Sequence, residues 1–515
     1  MADLEKTSDT NAASPTSLRG SVLGESSILG QYNEEHTDIG LELYQKSLQY
    51  DPEQLARDSI KVRMKLDYIV LPMICMTYMI SFLDKQTLNY SNAYGLQADT
   101  KMKGDDYSWV ASAQYFGTMF GAYPANMVLQ RFPVGRVLGY MCFVWGAICM
   151  LQAAVFNFPG FFAIRFVMGF VEACVSPASV LLTMSMWTRE EQPWRSNFWI
   201  GTNGVASILG ALLSWGLGHA SGVAIPNWKL IYLVVGSINI LWAVVIAIYL
   251  PDGPHNAKML TEYERIVAVW RISKNKTGIK HAKLLPYQMK EALFDPKTHL
   301  VLAIAAALGI LNGSVTTFMS ALIKGFGFDP LMTSLLQMPG GAFQVAWCFI
   351  FGYVGTRKNL MGFSLILGCI PGFIGLIGIM TISEKRRYGL VACAWIQSAL
   401  GSAVVLNWQF PGVNISGHSK RTTVQAMQFA VFAAGNIVGP HLFFAREAPR
   451  YKSAIKGLLG CYCVAISLQL VYLALCHWEN KRRDAKGYHA QIKTEAIEGF
   501  EDRTDFENKN FRYRL

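Results

Sequence analysis

Apolar residues gather along the chain into twelve runs, each near the ~20 residues a helix needs to cross a bilayer. Their bounds are 68–95, 108–129, 138–156, 159–187, 197–217 and 229–250, then 299–322, 333–354, 360–381, 389–411, 424–445 and 457–477. Only helices and closed barrels satisfy every backbone polar group in lipid, and the runs lack the alternation of barrel strands. The pattern predicts an all-α integral membrane protein with twelve transmembrane helices in two six-helix halves. A polar N-terminal tail at 1–60, halves at 61–250 and 299–480, a charged linker at 251–298 and a tail at 481–515 complete the expected layout. The N-terminal tail is expected to be disordered.

Composition agrees with a bilayer as partner. Of the 515 residues 52% are hydrophobic and 16% charged, against about 25% charged in soluble domains. A net charge of +11 would admit nucleic acid, but Lys and Arg lie largely in the tails and between spans. That is the positive-inside distribution, and it predicts no nucleic-acid partner and both termini cytoplasmic. Lys385, Arg386, Arg387, Arg446, Arg450 and Lys452 depart from it, because they fall on the predicted outside. The N-terminal stretch contains no apolar core preceded by positive charge, so no cleavable signal is expected, and a multi-pass plasma-membrane protein is the default. The linker sequon at Asn275 would then face the wrong compartment. All ten cysteines fall within predicted spans, where free Cys acts as a small hydrophobe; neither a disulfide framework nor a metal site is expected.

The halves carry a faint repeat. Gln114, Gly117 and Phe120 align without a gap with Gln337, Gly340 and Phe343 at an offset of 223, which also pairs Asn89 with Asn312. Transporters built from two such halves bind substrate near the membrane midplane and rock about it.

Chemistry enters with charges at membrane depth. Arg165 and Glu172 stand inside the apolar run Phe158 to Trp187; such residues are costly in hydrocarbon, face a bundle interior or wet cavity, and mark ion or substrate pathways. A structural ion pair between helices is the alternative. The first span ends in Ser81-Phe-Leu-Asp84-Lys85-Gln86-Thr87-Leu-Asn89-Tyr90-Ser-Asn92, where Thr77, Ser81, Lys85, Asn89 and Asn92 form one helical stripe. Asp84 points away from Lys85 and is expected to pair with Arg165. Lys85, Asn89, Arg165, Gln114, Asn312 and Gln337 are the candidate substrate contacts, with Glu172 and Asp84 the candidates for proton coupling. Desolvation is expected to raise the Glu172 pKa towards values that load and release a proton. Asn203, Gln397 and Asn407 are further polar groups that would either line a cavity or tie helix to helix. Trp109, Trp194, Trp228 and Trp478 sit near span ends, as interfacial anchors do. Neither a G-x-x-x-x-G-K-[ST] phosphate loop nor H-E-x-x-H occurs, so an ion gradient rather than ATP is the expected drive. No cofactor and no enzymatic activity are expected.

Several stretches together carry a family likeness: Leu66-Asp-Tyr-x4-Pro-Met with Phe82-Leu-Asp-Lys, Arg165-Phe-x2-Gly-x2-Glu-x4-Pro177, Trp187-x2-Glu190-Glu-x3-Arg195, Leu250-Pro-Asp-x-Pro254, Asn414-x2-Gly-His-x-Lys-Arg421, Gly439-Pro and Ala448-Pro-x-Tyr451. Over about residues 60–484 the chain resembles the anion:cation symporter family of the major facilitator superfamily, in its fungal allantoate permease branch. The resemblance implies uptake of small organic anions with a proton. It also implies roles for Arg165 and Glu172 in substrate binding and proton coupling, and for Lys85 in contacting the anion. Lys85 stands where Arg is more common and Thr87 where many relatives carry Asn, so bidentate carboxylate recognition is lost there.

The expected function is import of a small organic anion by proton symport, with allantoate or a ureido acid first and nicotinate or another carboxylate behind. A monomer is expected. Proton-driven efflux of a drug or metabolite is the alternative, disfavoured because Gly201 to Gly210 lacks the Pro of the drug-antiporter element. A non-transporting nutrient sensor is the remote third reading.

Overall fold

A computed structural model describes residues 41–188, 191–220, 224–273, 285–357, 360–448, 451–486, 504–509 and 511–515. The expected tail over 1–40, the linker stretch 274–284 with its sequon, and 487–503 lie outside the described residues. Everything regular among the described residues is helical.

The first half comprises α1 (Pro52–Ala93), α2 (Asp106–Arg131), α3 (Val134–Leu151), a fourth rod broken into α4 (Phe158–Glu172) and α5 (Val175–Met186), α6 (Gln192–Gly218) and α7 (Asn227–Tyr249). Two linker helices follow, α8 (Glu262–Ser273) and α9 (Pro286–Phe294). The second half comprises α10 (Pro296–Gly325), an eighth rod broken into α11 (Pro330–Leu335) and α12 (Met338–Arg357), α13 (Met361–Thr381), a tenth rod broken into α14 (Arg387–Trp395) and α15 (Leu400–Asn414), α16 (His418–Val438) and α17 (Lys452–Ala485). Ten of these rods are long and apolar enough to cross a membrane. The other two, α2 and α16, fall at the expected second and eleventh positions. Polar residues such as Gln114 in α2 and Lys420, Gln425, Gln428 and Asn436 in α16 lower their hydropathy.

The ends of the rods differ from expectation where amphipathic packing takes over. Residues 52–60, expected in a disordered tail, begin the 42-residue helix α1, capped by the Asp51 side chain on the Glu53 amide. Leu55 and Val62 are buried there, Tyr263 of α8 donates to Asp58, and Lys65 pairs with Glu264. The end of the bundle carrying α8 and α9 is called proximal and the opposite end distal.

The repeat has a geometric counterpart. The fourth rod breaks after Glu172 and the tenth after Trp395, an offset of 223. Gly117 packs so closely on the fourth rod that a Cβ would lie 2.0 Å from the Phe166 carbonyl oxygen, and its counterpart Gly340 faces Ser398 and Trp395 of the tenth.

Candidate functional site

Ser81 and Lys85 lie one turn apart on α1 and meet Glu172 at the end of α4. Ser81 Oγ donates to Glu172 Oε1 at 2.5 Å, Lys85 Nζ lies 2.9 Å from the same oxygen, and Gln114 Nε2 donates to Oε2 at 2.6 Å. Both carboxylate oxygens are thus engaged by three residues from α1 and α2. Exposure is uneven, because the Lys85 side chain keeps 31% and that of Glu172 only 3%. The cation is the partner open to its surroundings.

Asn89, a turn beyond Lys85 on the same face, bridges the halves. Its Nδ2 donates to Gln337 Oε1 at 2.8 Å and its Oδ1 accepts from the Ser320 amide at 2.8 Å. Since residues four apart share a helix face, Lys85 is directed towards the space between halves. Around Asn89 and beyond it distally, Tyr107 donates to the Thr317 carbonyl, Lys324 to that of Ala93, and Ser108 and Ser112 to those of Pro440 and Ile437. Hydrogen bonds between halves therefore gather distally, with Gln409 to Asn197 the described one towards the proximal end.

Arg165 and Asp84 make no direct ion pair, although the Arg165 charge still acts on the carboxyl. Asp84 accepts from Trp145 Nε1 at 3.0 Å and Cys149 Sγ at 2.9 Å. Arg165 is 2% exposed, and its Nε and Nη1 are buried without a hydrogen-bond partner. The expected pairing overlooked Trp145 and Cys149 on α3, the nearer donors to a carboxylate on the back of α1. Trp228 corrects another expectation, being fully buried with its Nε1 on Asp99 at 2.7 Å. Trp109, Trp194 and Trp478 remain exposed.

A cavity of about 60 Å³ lies between the halves beside this cluster, its lining including Gln86, Asn312, Gln337, Gln344 and Gln397. Of the six expected substrate contacts, Asn312 and Gln337 line it; Lys85, Asn89, Arg165 and Gln114 do not. Asn312 also donates to Asn436 at 2.8 Å. Gln86 and Gln344 were missed as lining residues. The signal for Gln344 was present, because Gln337, Gly341 and Gln344 recur at helical spacing along one face. Among the described residues no group of His, Cys, Asp and Glu could hold a metal ion.

Two helical bundles joined by a linker, with charges buried near their interface, are the architecture of a polytopic membrane transporter. Residues 74–440 match the Major Facilitator Superfamily, and the chain belongs to that family. It is similar to an uncharacterized transporter of Schizosaccharomyces pombe, 35% identical with 88% of each chain covered. The allantoate permease of Saccharomyces cerevisiae is 34% identical, covering 91% of this chain and 88% of its own. A thiamine pathway transporter of the same yeast is 32% identical over 88% and 86%. In fold it resembles a bacterial homologue of the human lysosomal transporter Spinster, solved inward-facing and unoccupied, with a TM-score of 0.58 and 13% identity over 80% of this chain and 96% of that one. The chain is a multi-pass membrane transporter of a small molecule and not an enzyme.

Proposed function

We propose that this transporter imports a small organic anion across the plasma membrane by proton symport, and that Lys85 and Glu172 are the coupling pair. The observation that carries the reading is the 2.9 Å contact between a nearly buried carboxylate and a lysine that is still 31% exposed. A charge removed from water needs a partner. While Glu172 is ionised it occupies Lys85. A proton on Glu172 frees the ammonium to take the substrate anion, so proton and anion enter together and net charge is unchanged. This exchange avoids working against the membrane potential, ~2.3 kcal/mol per charge per 100 mV.

The Gln344 carboxamide, with the Asn312 carbonyl left over from its bond to Asn436, offers donors and acceptors suited to a ureido acid, and this supports allantoate or a close relative as cargo. Likeness to the allantoate permease supports the same class. Arg165, with buried unpartnered N–H groups, would hold a second carboxylate contact or set the potential at the site. With the basic proximal face in the cytoplasm, the distal hydrogen bonds close the outer side and the protein faces inward, acting as a monomer.

The test is uptake of labelled substrate into proteoliposomes bearing an imposed pH gradient. Glu172→Gln is expected to abolish gradient-driven accumulation while counterflow exchange persists, and Lys85→Ala to raise the half-saturation concentration at least tenfold. Undiminished, gradient-dependent accumulation by Glu172→Gln would remove Glu172 from proton coupling. Outward pumping by the wild type would replace import with efflux.

A further inference from the structure

The stretch Asn414 to Lys420, prominent in the sequence, takes no part in the Lys85–Glu172 cluster. It lies at the proximal end, where it meets residues 504–509 and 511–515. Asn414 Nδ2 donates to the Arg514 carbonyl at 3.0 Å and its Oδ1 accepts from the Arg514 amide at 2.8 Å. Asn480, near the end of α17, treats Tyr513 in the same way, at 2.8 and 3.0 Å. Two side-chain amides thus read two consecutive backbone units.

Charges fix the other end of the segment. Lys420 is fully buried and lies 2.6 Å from Asp505 Oδ1, 2.9 Å from Glu291 and 2.9 Å from Asp295. Lys297 lies 3.1 Å from Asp505 Oδ2, its ion-pair partner among the described residues. Tyr513 donates to the same carboxylate at 2.6 Å. Arg483 donates to the carbonyls of Asp505, Asn508 and Phe511 at 2.8, 3.2 and 2.7 Å. Thr504 and Glu507 form a reciprocal capping box, and Thr504 Oγ1 also reaches Glu291 at 2.9 Å. Asp505 and Thr504 are fully buried. A segment held only by chain connectivity would not bury a carboxylate in this way, because a buried charge without compensation is strongly unfavourable.

These partners come from α9, α10, α15, α16 and α17, all in the second half or the linker helix beside it. Helix α9 has nine residues, too few to be stable in water on its own. It is tied to the start of α16 by Gln288, whose Oε1 accepts from the Ser419 and Lys420 amides, and to residues 504–515 by Glu291. The other linker helix, α8, belongs to the first half through Arg271 to Glu191 and Lys65 to Glu264.

We propose that the proximal face of the second half is a binding site for the chain's own residues 504–509 and 511–515, and that their docking clamps α9 onto that half. The linker is thereby divided, with α8 moving with one half and α9 with the other.

Hydrogen exchange on the full-length protein in nanodiscs tests this, following peptides that cover 262–273, 286–294 and 504–515. Both 286–294 and 504–515 are expected to be protected in the wild type. Asp505→Lys, which sets a cation against Lys420 and Lys297, is expected to speed exchange at least tenfold in both and to leave 262–273 unchanged. Should that variant not fold, Asn480→Ala, which removes a side chain whose described hydrogen bonds both go to the Tyr513 backbone, is expected to act in the same direction. Fast exchange of 504–515 in the wild type would overturn the proposal. So would unchanged protection of 286–294 once 504–515 is released.

Discussion

A proton on Glu172 leaves Lys85 needing another anion, whereas loss of Lys85 leaves Glu172 with two neutral donors, Ser81 and Gln114. Breaking one side of a buried pair costs about 3–5 kcal/mol, while removing both charges is far milder. Lys85→Ala alone is therefore expected to lower the melting temperature in detergent more than Lys85→Ala with Glu172→Gln; simple additivity would mean that the pair is not coupled. The sequence made Lys85, Ser81 and Glu172 legible as polar intrusions into apolar runs, but not as mutual partners. Helix periodicity says which residues share a face and nothing about which face of another helix it meets.

At the scale of elements, small residues decide how closely helices approach. A Cβ on Gly169 would lie 2.0 Å from the Gln114 carbonyl oxygen, whereas one on Gly201 meets nothing within 4 Å. Overpacking costs about 1–3 kcal/mol. Gly169→Ala is expected to destabilise the protein by at least that amount and to displace Gln114 from Glu172, with Gly201→Ala near neutral in the same melt. The distal contacts between α1 and the second half set a second expectation. Removing the two Asn89 side-chain bonds to the second half, at ~1 kcal/mol each, shifts a two-state balance about thirtyfold towards opening of the distal side. For Asn89→Ala, a cysteine introduced at Ser320 should react faster with a membrane-impermeant thiol reagent added distally than in the Asn89 background; equal rates would count against a gate at this position.

Across the whole molecule, two bundles each carry their own proximal brace, and the brace of the second half has a definite response to acid. Burial disfavours the charged Asp505 carboxyl, yet Lys297 and Lys420 outweigh it and hold its pKa below the ordinary carboxylate range. Tyr513 beside it is pushed up by burial and by Asp505, so it stays neutral. Glu291 and Asp295 also face Lys420. A depressed pKa contributes docking free energy that is complete above the free carboxylate value near 3.9 and is lost only as pH falls through the docked value. Protection of 504–515, corrected for intrinsic exchange, is thus expected to be the same at pH 5 and pH 8. Release between those values would place the titrating group elsewhere.

Apolar run lengths and the spacing of polar residues determined the helical class, the two halves and the stripe on α1, because lipid leaves a backbone few alternatives and a helix has one period. Tertiary structure alone decided that Asp84 turns to Trp145 and Cys149, that Asn89 closes on Gln337, and that Arg514 and Asp505 return to Asn414 and Lys420. Each of these joins positions tens to hundreds of residues apart, where the choice depends on which surfaces pack and which buried charges must be neutralised. The offset of 223 shows both limits: the rods break at positions that it relates, after Glu172 and after Trp395, yet the halves fill that position differently. Glu172 engages Gln114 and Lys85, whereas the Trp395 indole donates to the Leu336 carbonyl. Backbone geometry repeats because packing of small residues enforces it; side-chain chemistry need not, and here only the first half carries the charge.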